Sequence, residues 1–212
     1  TMEPSKYAEY SDKIFHHPCR VFKDYFALKE HPKPKVLEEL FYSALFAHFI
    51  TKTTGDETFV QAPPQDPPDS KMLVPFVKGD KAGYRDIEIF KATGLKSEQD
   101  ILVATKNKMK NKYYGDHYVL IGVLHPDERT MFLDAKKLEP LFKNEKFTLG
   151  HIFFIFPTIE VVEEKLIFKY VLIQTQPIFT FLTVDLEDLK KVCNSKTGGF
   201  FFELKGKGRK KW

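Results

Sequence analysis

The chain of 212 residues is 42% hydrophobic and 15% aromatic, and its formal net charge at pH 7 is +4. This content supports a sizeable core in one or at most two domains and excludes disorder on a large scale. No run of about 18 uncharged apolar residues occurs, which excludes a membrane-spanning helix.

The N-terminal residues up to Tyr10 are polar and charged, so the sequence shows no secretory signal. The two cysteines, Cys19 and Cys193, lack the spacing of a metal knuckle or a disulfide framework, which predicts reduced thiols. We therefore expect a cytoplasmic protein, or a nuclear one in a eukaryote.

Apolar residues between 5 and 30 recur as in one or two helices interrupted at Pro18, which predicts a helical lead-in over residues 1–33.

The pattern around Pro34 predicts a long helix. Proline suits the first helical position, and apolar residues follow from Leu37 to His48 at spacings of three and four. Gly55 is expected to end this helix. On the same helix, Glu38 borders the apolar stripe at the 100° per residue of a helix, so it can reach inward. The alternative is a solvated residue at the flank of the stripe.

Three strands are expected next. The first covers residues 58–62, and a proline-rich loop at 63–68 follows it, since proline suits neither a helix interior nor a central strand. The second and third cover residues 72–77 and 84–92, and the connection between them contains two glycines that suit a hairpin.

A helix and an apolar strand complete this part of the sequence. Ser97 and Asp100 resemble a capping box, which predicts a helix that runs to about Tyr113. Residues 117–124 are almost continuously apolar, as in a strand buried on both faces. Two strands on either side of one helix predict a parallel crossover connection.

The remaining residues predict further strands and two short helices. The strands are expected at residues 130–133, 151–156, 166–174 and 179–184, with helices that begin at Asp134 and Asp185. We therefore predict a single α/β domain over residues 1–212, in which a central mixed sheet is flanked by helices, with a β-rich extension over 126–204 and a basic tail over 205–212.

Two carboxylates are predicted to project side by side from the acidic strand. Because side chains alternate along a strand, Asp86 and Glu88 share one face with Phe90. Acids this close repel each other, and a site that keeps both ionised generally needs a cation such as Mg²⁺ or Mn²⁺. The alternative is a half-exposed strand whose acids meet water or nearby lysines.

A third acid, Asp69, follows Pro68 just before the strand predicted at 72–77. The order of elements is a helix with Glu38, a strand, Pro-Asp, a strand, a hairpin, an acidic strand, a helix and an apolar strand. This order resembles the core of the PD-(D/E)xK nuclease superfamily, which includes restriction endonucleases and repair nucleases. The resemblance covers residues 34–125.

The resemblance implies a restriction-endonuclease-like fold and a metal-dependent nuclease that hydrolyses phosphodiester bonds, with nucleic acid as the partner and DNA favoured over RNA. It implies Mg²⁺ or Mn²⁺ as the cofactor, with Asp69 and either Asp86 or Glu88 matching the motif acids and Glu38 as a further ligand. It is also compatible with a homodimer.

The motif lysine departs from the family pattern. Two residues after Glu88 stands Phe90, so Lys91 would serve as the charge stabiliser only if a bulge turned it to the acidic face. If Asp86 is the motif acid, Glu88 occupies the lysine position.

Basic residues outside the motif are candidates for contact with phosphates. Lys106 and Lys108 flank the buried stripe of the helix that Ser97 begins, and the alternative is a solubilising face. The tail adds Lys205, Lys207, Arg209 and Lys210. A non-catalytic module that binds nucleic acid or protein through a degenerate nuclease-like fold is the rival interpretation. An unrelated α/β fold with exposed acids is the third.

Overall fold

The computed structural model describes residues 14–27, 35–62, 68–77, 81–110, 114–126, 134–149, 151–195 and 201–203. By its internal contacts the chain divides into two compact units. The first unit comprises Thr1–Gly83 with Thr197–Trp212, and the second comprises Tyr84–Lys196. The resemblance to the nucleases, over residues 34–125, therefore draws on both units.

The first unit combines two helices with an antiparallel sheet. Its elements are β1 (Ile14–His16), α1 (Pro18–Ala27), α2 (Lys35–Thr54), β2 (Phe59–Gln61), β3 (Ser70–Val77) and β9 (Phe201–Glu203). The described strands pair in the order β3-β2-β1-β9, and α2 packs against α1, β2 and β3. Aromatic stacking contributes to the contact between the helices, since the rings of Tyr25 and Phe41 lie 3.8 Å apart.

The long helix predicted from Pro34 is confirmed by α2, which the structure describes from Lys35. It ends where expected, because Gly55 adopts a φ of +81° and donates its N–H to the Thr51 carbonyl at 3.0 Å. The helical lead-in is wrong for Ile14–His16, which form a strand. Pairing with β2 and β9 satisfies their backbone and overrides the local helical pattern.

The second unit is built on a mixed sheet. Its elements are β4 (Lys81–Leu95, in this unit from Tyr84), α3 (Glu98–Met109), β5 (Tyr118–Pro126), α4 (Ala135–Lys143), β6 (His151–Val162), β7 (Lys165–Gln176), β8 (Thr180–Asp185) and α5 (Leu186–Ser195). The strands pair in the order β4-β5-β6-β7-β8, with β4, β5 and β6 parallel and the remaining pairs antiparallel. The predicted α/β class, with a mixed sheet flanked by helices, is confirmed.

Helices α3 and α4 connect the parallel strands and pack together against the sheet. Ile101 of α3 and Phe142 of α4 are fully buried in one cluster with Leu120, Leu124 and Phe154. Because alternate residues of a strand share a face, the even-numbered residues of β5 and β6 are the ones that meet these helices. The crossover predicted between β4 and β5 is confirmed.

Local capping signals are also confirmed. Ser97 and Asp100 form both bonds of a capping box at the start of α3, and Asp134 caps α4. The Glu98 carboxylate accepts the Asp134 N–H at 2.9 Å, which ties the start of α3 to the start of α4.

The hairpin of β6 and β7 is longer than predicted and belongs to the same sheet as β5. Pairing extends to Val162 and Lys165, and the two residues of the turn, Glu163 and Glu164, have φ values of +48° and +63°. Pro157 is tolerated inside β6 because the pairing with β5 has already ended at Ile155. The strands predicted as a separate extension therefore continue the central sheet.

Two further expectations concern the cysteines and membrane insertion. Cys19 and Cys193 are both buried, and neither is a free thiol in the structure, so the prediction of reduced thiols is wrong. In the described part of the chain, no helix combines the length and the apolar character needed to cross a bilayer. The strand predicted at 130–133 lies outside the described residues.

Candidate functional site

The acidic face of β4 is as alternation predicts. Pairing with β5 is regular from Asp86 opposite Tyr118 to Thr93 opposite His125, and the register shifts only after Thr93. Asp86 and Glu88 therefore share one face, and Lys91 points to the opposite one. The bulge that would bring Lys91 beside the acids is not present, so the condition for its role as charge stabiliser is not met.

A different lysine reaches Glu88. The even-numbered face of β4 lies under α3, and Lys108 of that helix places its Nζ 2.8 Å from Glu88 Oε1. Glu88 is only 4% exposed. A carboxylate this deeply buried needs a cation or several hydrogen-bond donors, and Lys108 supplies the cation.

Asp86 lies at the more open end of the same face. Its side chain is 17% exposed, and its Oδ2 is 3.6 Å from Nε2 of the exposed His117. The backbone N–H of Asp86 donates to the His117 carbonyl at 3.1 Å, which fixes the turn before β5 against β4. Sequence reasoning missed His117, whose only signal was its position as the first residue of the apolar strand predicted over residues 117–124.

The remaining predicted ligands lie in the first unit. Asp69 is half-buried directly before β3, and Glu38 is half-buried in the first turn of α2. Asp86 and Glu88 belong to the second unit. The tail residues Lys205, Lys207, Arg209 and Lys210 lie outside the described residues.

The acidic face of β4 carries carboxylate oxygens, which are ligands that a divalent metal such as Mg²⁺ binds. Mg²⁺ binds carboxylate oxygens in octahedral geometry, usually with several waters and substrate phosphates. Among the residues that the structure describes, no group of three His, Cys, Asp or Glu side chains is placed to hold a metal ion. The acidic face offers two carboxylates, one of which bonds to Lys108. Mg²⁺ or Mn²⁺ therefore stays a prediction.

The opposite face of the sheet carries a titratable group, His151, at the start of an inner strand. His151 begins β6 and pairs with Val119. Burial lowers the pKa of His151 below its ordinary value, and the positive charge of Arg85 lowers it further. His151 is therefore biased towards the neutral form.

A basic groove lies at the C-terminal end of α3. Its volume is about 390 Å³, and its lining includes Lys106, Lys110, Glu145, Lys146 and Phe147. Lys106 Nζ and Glu145 Oε1 form an ion pair at 2.6 Å. Of these residues only Lys106 was predicted to bind nucleic acid. The others come from the loop after α4 or from the end of α3, and only the packing of the two helices brings them together.

No protein-family model, curated protein or solved structure matches this chain. The likeness to the PD-(D/E)xK superfamily thus stands on the order of elements and on the acids named above.

Proposed function

We propose that this chain is a non-catalytic nucleic-acid-binding module with a degenerate nuclease-like fold. The observation that carries the proposal is the ion pair between Glu88 and Lys108. The family acid is 4% exposed, and its carboxylate is bonded to a lysine of the covering helix at 2.8 Å. An acid held in this way contributes to the packing of α3 on the sheet, and its bonded oxygen has a lysine as partner where a metal ligand would face a metal ion.

The basic groove at the end of α3 supports the proposed binding of nucleic acid. Among the residues that the structure describes, Lys106, Lys110 and Lys146 line it together with one acid, Glu145. All three lysines are exposed to solvent, as contact with phosphates requires. Each phosphate that such lysines neutralise releases counterions, which makes binding sensitive to salt.

Gel-shift and cleavage assays with the same labelled DNA and RNA test this proposal. Single and double strands are incubated with the full chain in Mg²⁺, Mn²⁺ or EDTA. We expect a retarded complex in all three, intact substrate, and an affinity whose logarithm falls with the logarithm of salt with a slope of about −2, as two to three phosphate contacts would give. Absence of binding to every substrate at low salt would refute the module.

The metal-dependent nuclease is the second candidate, and one observation favours it. Lys108 stands beside Glu88, on the face that Asp86 shares, so an acid and a lysine do meet although the lysine comes from the helix. In this candidate Asp69, Asp86 and Glu88 are the predicted metal ligands, with Glu38 as a fourth, and nucleic acid is the substrate.

Cleavage dependent on Mg²⁺ or Mn²⁺ would establish this second candidate. It predicts that EDTA and Asp86→Asn each abolish cleavage, whereas Lys91→Ala, a lysine on the opposite face, leaves the rate unchanged. If Lys91→Ala is as damaging as Asp86→Asn, the site assignment is wrong.

A homodimer and a cytoplasmic or nuclear location also stay predictions. Light scattering on the purified chain tests for the homodimer.

A further inference from the structure

The groove at the end of α3 has two walls of different origin. The last turn of α3 provides Lys106, Met109 and Lys110, and the loop after α4 provides Lys146 and Phe147. Its volume of about 390 Å³ lies within the range of about 300–1,000 Å³ that small-molecule sites occupy. The groove is therefore large enough for a ligand of the size of one nucleotide.

The charges in the groove suit an anion. Three lysines, Lys106, Lys110 and Lys146, stand against one acid, Glu145, so the net charge of this set is +2 (three minus one). Glu145 pairs with Lys106 across the two walls, and both side chains remain partly open to solvent. A phosphate group can take the place of Glu145 as the partner of Lys106, because it carries the same sign and more acceptor oxygens.

The apolar part of the groove suits a planar ring. Phe147 is half-buried, and its ring stacks on the fully buried Phe142 with centroids 5.7 Å apart and planes inclined by 23°. Phe147 is thereby held in place as a platform. Met109 is the apolar residue on the other wall, and its flexible thioether can adapt to a flat surface.

From this arrangement we infer that the groove binds one nucleotide, with its phosphate among Lys106, Lys110 and Lys146 and its base against Phe147 and Met109. The nucleotide is either free or the terminal residue of a single strand, and for the strand the inference rests on the proposed function. A paired base within a duplex cannot reach the ring, because its faces are already stacked on its neighbours. Single strands are therefore preferred over duplexes of the same length.

The test measures binding of four probes to the full chain. These are a nucleoside monophosphate and inorganic phosphate, by calorimetry, and a labelled single strand and its duplex, by fluorescence anisotropy. We expect the monophosphate to bind at least about tenfold more tightly than phosphate, which is the size of one base-stacking contact. Equal affinity for phosphate and monophosphate would overturn the assignment of a nucleotide.

Three variants locate the site. Lys146→Ala is expected to weaken the single strand about fivefold and to reduce the salt slope by about 0.7, the value for one lost phosphate contact on a single strand. Phe147→Leu is expected to weaken it about tenfold with no change in salt slope, because stacking involves no counterion release. Glu145→Gln is expected to tighten binding, since it removes the competing carboxylate. Lys137→Ala, an exposed lysine in the first turn of α4, is the matched control and is expected to bind as the wild type does.

Thermal unfolding of each variant separates loss of binding from loss of the fold. If the wild type binds strands but Lys146→Ala and Phe147→Leu bind equally well, the groove is not the site, and the proposed function stands without it. If the wild type binds no strand yet binds the monophosphate through Phe147, the proposed function fails and the nucleotide site stands. Failure of the wild type to bind any probe overturns both.

Discussion

At the scale of single residues, Glu88 shows how a side chain with a chemical signature can be used for structure. Alternation along β4 placed it beside Asp86, as expected, but the strand face lies under α3 rather than open to solvent. Lys108 then neutralises the buried carboxylate. The predicted pair of acids exists, and each of the two has a partner that the sequence did not indicate, Lys108 for Glu88 and His117 for Asp86.

Removal of Lys108 should therefore be costly. Lys108→Met leaves the Glu88 charge buried without its cation, and we expect the free energy of unfolding to fall by about 2–4 kcal/mol, towards the low end for buried pairs because Lys108 is partly exposed. Chemical denaturation measures the change. The double variant Glu88→Gln with Lys108→Met should recover most of the loss, and equal instability of single and double variants would contradict the pairing.

His151 gives a prediction for pH dependence. Its pKa is lowered, chiefly by burial and further by Arg85, so between the ordinary value of 6.5 and the folded value the unfolded chain binds the proton more readily. The contribution of His151 to stability is thus fully present above pH 6.5 and is lost as the pH falls through that window. Titration of the His151 ring by NMR in the folded chain should give a midpoint below 6.5, and a midpoint at or above it would contradict the assigned environment.

At the scale of elements, the sequence predicted helix ends most reliably where residues nearby in the chain form the hydrogen bonds that define them. The capping box at Ser97 and the Gly55 terminus of α2 both follow from neighbours within five residues. The hairpin of β6 and β7 lacked such a signal. Its turn residues are Glu163 and Glu164, although glycine and asparagine are the residues typical of that backbone conformation.

The same turn can be improved by substitution. Both glutamates have positive φ, which costs energy for residues with a Cβ, so Glu163→Asn with Glu164→Gly should stabilise the chain by about 1 kcal/mol. The midpoint of urea unfolding is the measurement. The same two replacements in the paired strands, Val161→Asn with Leu166→Gly, should destabilise instead, and stabilisation by both pairs would show that the turn conformation is not the cause.

At the scale of the whole molecule, the chain divides into two compact units, each of which contains helices and paired strands. The resemblance to the nucleases spans residues of both, whereas the acid pair and the basic groove lie in the second. Both features on which the proposals depend therefore lie within Tyr84–Lys196.

The oxidation state of the two cysteines, one in each unit, can be tested on the whole chain. Neither Cys19 nor Cys193 is a free thiol in the structure, so thiol titration of the denatured, unreduced protein should detect no free sulfhydryl groups. The same titration after reduction should detect two, the number in the sequence. Two thiols before reduction would restore the expectation of reduced cysteines, which is the form that the cytosol favours.

The sequence by itself determined the α/β class, the long helix from residue 35, the capped helix α3 and the parallel crossover from β4 to β5. These follow from periodicity and caps, which depend on neighbours a few residues apart. Only the tertiary structure decided that β1 is a strand, that Lys108 rather than Lys91 meets Glu88, and that Lys110, Lys146 and Phe147 share a groove. Such contacts join residues that are distant in sequence, and the packing of helices on the sheet selects them.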